Sequence, residues 1–174
     1  MAKTRKMLSD YNAPEIKSLM ALIKTQSKAT LIKWAVEYSK RIILPLYIKH
    51  YPYDTRPENA LDAALKWLNG DIKLPEAKPK ILECHSAARG TDNPVAQASA
   101  RAIAQSASTI HSARHCLGLA LYGALAIAYD RLGTDAPWKE VEKYANNECG
   151  LMEAALKAIS RDNEPNPAKI DWNC

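Results

Sequence analysis

Residues 93–133, NPVAQASARAIAQSASTIHSARHCLGLALYGALAIAYDRLG, decide the fold. The stretch is rich in Ala, Ser and Gly and carries few charges. Asn93-Pro94 is typical of a helix start, and Gly133 is typical of a helix end. Small side chains let helix backbones approach within the ~8–10 Å of close packing. We therefore predict a central Ala/Gly-rich helical hairpin, with helices over 94–110 and 115–132 joined by a tight turn.

The rest of the chain shows the same helical pattern. Apolar residues recur at three- and four-residue spacing, and the segments begin near prolines or capping residues. No strand alternation of convincing length appears. We predict an all-α fold, a single-domain bundle of six or seven helices over residues 1–174. The further helices are expected over 14–25, from 27 or 30 to about 43, over 57–68, over 75–89 and over 135–160.

Several local features refine this prediction. Pro45 lacks an N–H and is expected to kink the second helix or end it near Ile43. Asn12 is expected to cap the first helix, and Asp54 or Thr55 the third.

The two ends of the chain are expected to be irregular. Residues 1–12 are polar, and we predict that they are flexible. Residues 163–174 have no helical pattern and contain two prolines. Ile170 and Trp172 are apolar enough to dock this tail onto the body.

The composition indicates a folded globular protein, since 47% of the residues are hydrophobic and 25% are charged. No apolar run approaches the ~18 residues of a membrane span. The N-terminal residues lack the apolar segment of a secretory signal, so we expect a cytoplasmic protein with no membrane association. The four cysteines show neither C-x-x-C nor zinc-finger spacing and are expected to be free thiols.

Positive charge is concentrated at the N-terminal end. Residues 1–50 carry ten Lys/Arg and three Asp/Glu, within a chain of net charge +5. This asymmetry could attract an acidic partner or nucleic acid, or it could be a solvated helix face. Trp34, Tyr38 and Tyr47 lie among these cations and either stack on bases or face the core. No recognised DNA- or RNA-binding motif is present, and a nucleic-acid accessory protein stays an alternative.

The histidine pair in the hairpin is the main candidate site. His111 and His115 are four residues apart and would share one face of a continuous helix, where they could ligate a metal. The Glu that a zinc-protease helix places after the first His is absent, since position 112 is Ser. Cys84-His85 could join them if the helices converge. A metal site, a polar recognition or ligand site, and histidines bonded only at helix ends all remain open.

We predict ligand or partner binding by five residues and no catalytic residue or cofactor. The binding residues are His85, Arg89, His111, Arg114 and His115, and the weak metal candidates are His111, His115 and Cys116. A nucleophilic Cys needs a lowered pKa, and Cys116 lies near a predicted helix start beside Arg114 and His115, but no known surrounding motif supports catalysis. No dinucleotide, P-loop, nucleophile-elbow or zinc-protease motif occurs. A non-enzymatic protein is therefore expected, with a small helical enzyme or ligand- or metal-binding protein as the alternative.

A family resemblance is carried by short segments spread over residues 27–174. They are 27–35 (SKATLIKWA), 56–61 (RPENAL), 66–70 (KWLNG), 109–111 (TIH), 115–119 (HCLGL), 122–123 (YG) and 163–167 (NEPNP). These segments resemble the immunity-protein-five-like family, a prokaryotic family associated with polymorphic toxin systems; residues 1–26 show no such likeness. The resemblance implies a helical, cytoplasmic protein that neutralises a cognate toxin by binding it, and it supplies no catalytic residues.

Overall fold

A computed structural model describes residues 3–173, so Cys174 lies outside the described part of the chain. Within it the polypeptide forms seven helices and no β-strand, which confirms the predicted all-α bundle. The helices are α1 (Pro14–Ile23), α2 (Lys28–Tyr38, Ser39–Ile43 and Leu44–Ile48 in succession), α3 (Arg56–Leu68), α4 (Leu74–Arg89), α5 (Pro94–Ser108), α6 (Ala113–Cys116, Leu119–Ala124 and Leu125–Leu132 in succession) and α7 (Trp138–Ile159).

Helix α5 lies at the centre of the bundle, as the hairpin prediction expected. It packs against α2, α3, α4 and α6, while α7 covers α1, α2 and α6. Asn93 caps α5 by accepting a hydrogen bond from Ala96 N–H at 2.9 Å. A helix surrounded on all sides must be apolar or small all round. Its buried residues accordingly are Val95, Ala96, Ala98, Ser99, Ala100, Ala102, Ile103, Ala104, Ser106, Ala107 and Ser108.

Helix α2 passes through Pro45 without ending. Residues 39–43 form a π-helical turn in which Leu44 N–H donates to Ser39 C=O. This wider turn directly precedes Pro45, the residue without an N–H. Of the two predicted outcomes, the end near Ile43 is wrong, since the helix changes type there and continues. The kink stays a prediction.

Several predicted helix ends differ from the observed ones because local hydrogen bonds compete with the helix. Asn12 N–H bonds Asp10 Oδ1, and α1 begins after Ala13, so Asn12 is not its cap. At α3 the Thr55 side chain makes no cap bond, whereas Asp54 Oδ1 accepts from Arg56 N–H. Helices α1 and α5 stop two residues earlier than predicted, and α7 starts at Trp138.

The C-terminal tail docks at the start of α2. The Glu164 carboxylate accepts hydrogen bonds from Ser27 N–H at 2.7 Å and Thr30 Oγ1–H at 2.6 Å. Although burial opposes the shift, these bonds lower the pKa of Glu164. Ile170 and Trp172 pack against the main core, which confirms the predicted docking.

Residues 3–12 have no helix but contact the body. Leu8 is buried, and its N–H donates to Leu121 C=O at 3.0 Å. Arg5 N–H donates to the Tyr129 hydroxyl at 2.9 Å. The flexibility of this segment stays a prediction, but its described part has specific partners.

Candidate functional site

A cavity of about 190 Å³ opens between α4 and the corner that joins α5 to α6. Three of the four histidines, His85, His111 and His115, line it together. We call it the histidine cavity. Helix α4 brings the candidate His85 to the same place as the hairpin pair, an arrangement that the sequence left open.

One face of α4 forms the first wall of the histidine cavity. Leu74, Lys78, Ile81, Leu82 and His85 line it from this helix. Their spacing of three and four residues places them on a single helical face. The opposite wall holds Ser108 at the end of α5, followed by His111 and His115. The wall of α4 is mostly aliphatic, and the opposite wall is polar.

Gln105 orients the His115 ring. The Nδ1 of His115 lies 2.9 Å from Gln105 Oε1, which can only accept a hydrogen bond. Nδ1 therefore carries the proton, and Nε2 of the neutral ring is left as an acceptor. The orientation comes from α5, ten residues earlier in the chain, and it does not depend on a continuous helix between His111 and His115.

Electrostatics keep two of the histidines neutral at pH 7. Burial and then the neighbouring Arg89 lower the pKa of His85. Burial lowers the pKa of His115, and the positive charges of Arg114, His111 and His85 lower it further. Lys78 is the permanently charged residue of the cavity lining, and this lining contains no carboxylate.

The two predicted arginines do not line the histidine cavity. Arg89 is exposed and donates to Ser86 Oγ at 3.0 Å on the same helix. Arg114 lines a second cavity, which also includes His115, beside Tyr11 and Trp172. The charge of each arginine lowers the pKa of a cavity histidine.

Cys116 is placed away from the histidines that precede it. It is fully buried in the main core, and burial raises the pKa of its thiol. The side chain lies in an apolar environment that disfavours the thiolate, so its position near a helix start and beside cations does not make it a nucleophile. In residues 3–173 no group of three or more His, Cys, Asp or Glu side chains is placed to hold a metal ion.

Sequence reasoning missed Lys78 and Gln105. Lys78 lies seven residues before His85, with Leu82 between them, a spacing that marks one helical face. That pattern could have identified Lys78. No sequence pattern links Gln105 to His115, since their contact depends on how α5 and α6 pack.

The aromatic residues of α2 are used in the core. Trp34 is buried and donates its indole N–H to Met152 C=O at 2.9 Å. Tyr38 and Tyr47 are also buried. These rings are not available for stacking on bases, so the sequence feature that suggested nucleic-acid binding has a structural explanation.

A second surface feature is the loop after α2. We call residues 51–55 the aromatic loop. Tyr53 is 96% exposed, whereas Tyr51 stacks on Tyr47 with ring centroids 5.4 Å apart. The Asp54 carboxylate accepts from the Tyr47 hydroxyl at 2.6 Å and from the Arg56 guanidinium at 2.7 and 2.9 Å. The hydrogen bond from Arg56 has the largest effect on the pKa of Asp54 and lowers it to about 2, although burial acts in the opposite direction. Tyr53 thus projects from a loop whose neighbours are held in place.

Comparison with known proteins identifies the family. The family model described as "Imm-5 like putative immunity protein" matches residues 21–155. The chain belongs to this family. The match begins before residue 27 and leaves out residues 163–167, which the sequence resemblance had included. Neither a curated protein nor a solved structure matches the chain. None of the helices in residues 3–173 is long and apolar enough to span a membrane.

Proposed function

We propose that this protein is an immunity protein that neutralises a cognate toxin by binding it, without catalysis. The family match over residues 21–155 is the observation that carries the proposal. An immunity protein of this kind requires an exposed surface complementary to its toxin.

The aromatic loop supports the proposal as the best candidate contact. Exposed tyrosines that become buried on binding are among the residues that contribute most to protein interfaces. Tyr53 also lies beside a network that already orders the loop, through Asp54, Arg56 and Tyr47. Binding would therefore require little further ordering of the backbone, which lowers the entropic cost of association.

Only some of the cations in the basic N-terminal part are available to attract an acidic partner. Several of its cations are used inside the fold: Arg5 lies 4.1 Å from the Trp138 ring centroid, and Lys49 pairs with Asp130 at 2.8 Å. Seven other cations of residues 3–50 are exposed; Lys40 pairs with Asp62 and Arg41 lies over the Tyr38 ring, and five remain available for steering. They are Lys3, Lys6, Lys17, Lys24 and Lys33.

Co-expression with a candidate toxin from a neighbouring gene tests the proposal. We expect the protein to restore growth and to co-purify with the toxin. Tyr53→Ala should weaken the complex by about 30-fold, the effect of a residue worth ~2 kcal/mol in an interface. The matched control is Tyr11→Ala, because Tyr11 is also an exposed tyrosine but lies outside the aromatic loop. Neither rescue nor a complex would contradict the proposed function. A normal complex with Tyr53→Ala would contradict only the role of the loop.

Small-molecule binding is the second candidate function. It is favoured by the convergence of three histidines and a lysine in one cavity. The nature of that ligand is a separate inference.

A further inference from the structure

None of the polar side chains that line the histidine cavity is acidic. Its polar residues are Lys78, Ser108 and the three histidines, with no carboxylate or thiol. Ser108 Oγ–H already donates to Ala104 C=O at 2.7 Å. We propose that the histidine cavity binds a carboxylate that carries a small apolar body.

The charges around the cavity favour an anion over a metal ion. Lys78 lies in the lining, and Arg89 and Arg114 are close enough to act on His85 and His115. A metal cation would add to this positive potential, and no carboxylate is present to offset it. An anion reduces the potential and can accept a charge-assisted hydrogen bond from Lys78.

The size and the aliphatic wall restrict the rest of the ligand. Leu74, Ile81 and Leu82 form the apolar side, and Leu82 is 54% exposed. A cavity of ~150 Å³ lined by aliphatic groups is sufficient to hold a benzene ring. The 190 Å³ here fits a body of that size with one carboxylate. A large polyanion would leave the aliphatic wall without contacts.

Binding of a carboxylate should favour protonation of the histidines. The groups whose charge acts on His85 and His115 are Arg89 from α4 and His111 and Arg114 from the corner before α6, and Lys78 lines the same cavity. All of them are cationic or become so on protonation. A bound carboxylate opposes their effect, so it should raise the pKa of His85 and His115 and bind more tightly below pH 6.5 than at pH 8.

The inference goes beyond the proposed function, because it concerns the chemistry of one cavity. The carboxylate and its apolar body can belong to a free small molecule or to a segment of a bound protein in which an Asp or Glu lies beside an apolar side chain. The chemistry is the same for both sources, and the experiment separates them.

Benzoate is the probe, with benzyl alcohol as the neutral analogue of the same shape. Imidazole resonances of the full chain are followed by NMR while each probe is added between pH 5.5 and 8. We expect benzoate to shift His85, His111 and His115 but not His50, which does not line the cavity. Benzoate should bind at least about tenfold more tightly than benzyl alcohol, one charge-assisted bond being worth about that factor.

Two lysine variants of α4 form a matched pair. Lys78→Met keeps the aliphatic stem and removes the charge, and it should weaken benzoate binding about tenfold. Lys80→Met is the control, since Lys80 is exposed on the same helix, pairs with Glu83 at 3.7 Å and does not line the cavity. Both side chains are exposed, so neither change should prevent folding.

Three results overturn the inference: equal binding of benzyl alcohol and benzoate, benzoate binding unaffected by Lys78→Met, or no shift of the three histidines with benzoate. Preferential binding of zinc alone by the same imidazoles also overturns it. If benzoate binds and competes with the toxin, the carboxylate comes from the partner; if it binds without competition, the ligand is a free molecule. A failure to bind any toxin, with benzoate binding intact, contradicts the proposed function alone.

Discussion

The hairpin of α5 and α6 has one side with no room for a methyl group and one side that opens into a cavity. On the closed side, a Cβ on Gly118 would lie 2.4 Å from Gln105 Cβ. On the open side, His111 and His115 line a space of about 190 Å³. Gln105 belongs to both, because its side chain lies against Gly118 and its amide oxygen bonds His115.

The closed and open sides of the hairpin require different residue types. Close contact between two helix backbones requires a missing side chain, so glycine lies where α5 and α6 touch. Where the helices diverge, the chain has imidazoles that can be hydrated or can bind a ligand. The same small residue thus sets the helix distance and, through Gln105, the orientation of a site residue.

The largest expected effect comes from Gly118→Ala. The new methyl group would overlap Gln105 near its backbone, where the side chain cannot simply rotate away. We expect the free energy of unfolding to fall by about 1–3 kcal/mol, as for other overpacked cores. Chemical denaturation measures this loss. The His115 imidazole resonance should move as well, because Gln105 is displaced. An unchanged His115 signal would show that the two sides are independent.

Gly150→Ala is the control for helix propensity. Gly150 lies inside α7, and a Cβ there would meet no atom within 4 Å. The protein should gain about 0.5–1 kcal/mol in denaturation experiments, because alanine costs less backbone entropy in a helix. A loss of stability would mean that α7 is packed differently from the structure.

Gly123→Ala should have a smaller effect. Its Cβ would lie 3.1 Å from Ile43 Cδ1 and 3.4 Å from Ala102 Cβ. The terminal methyl of Ile43 can shift by a few tenths of an ångström, and the helix-propensity gain offsets part of the cost. We expect a net loss below about 0.5 kcal/mol in the same denaturation assay. A loss equal to that of Gly118→Ala would remove the distinction between the two contacts.

The smallest expected effect is the pH dependence of stability that the histidines on the open side cause. The pKa values of His85 and His115 are lower in the folded protein than in the unfolded chain, where they are about 6.5. The unfolded chain then binds more protons, so stability is full above pH 6.5 and falls as the pH decreases below it. The melting temperature should decrease from pH 7.5 to 5.5. A His85→Gln/His115→Gln variant should reduce that slope. An identical slope in the double variant would contradict the assignment.

Two carboxylates, Glu164 and Asp54, act in a lower pH range than the histidines, whereas burial raises the pKa of Glu148. Hydrogen bonds lower the pKa of Glu164, and the Arg56 bond lowers that of Asp54 to about 2. Their contributions are present above the ordinary carboxyl range near pH 4 and are lost as the pH falls further.

Most of the architecture could be predicted from local sequence patterns. The Asn93-Pro94 start and the Ala-rich stretch after it identify α5 and its place in the core. The helix ends were less predictable, because competing bonds such as Asn12 N–H to Asp10 Oδ1 are not visible as a pattern. The convergence of His85 with His111 and His115 joins residues about 30 positions apart and depends on how α4 packs against α5.

The sequence by itself determined the all-α class, the central hairpin and the family, since helical periodicity and family motifs are properties of neighbouring residues. The tertiary structure alone decided that Cys116 is buried in the core while His115, one residue earlier, faces a cavity. It also decided that Tyr53 is exposed and Tyr51 is stacked. The physical reason is that adjacent side chains point in different directions, and what each one meets depends on helices distant in the chain.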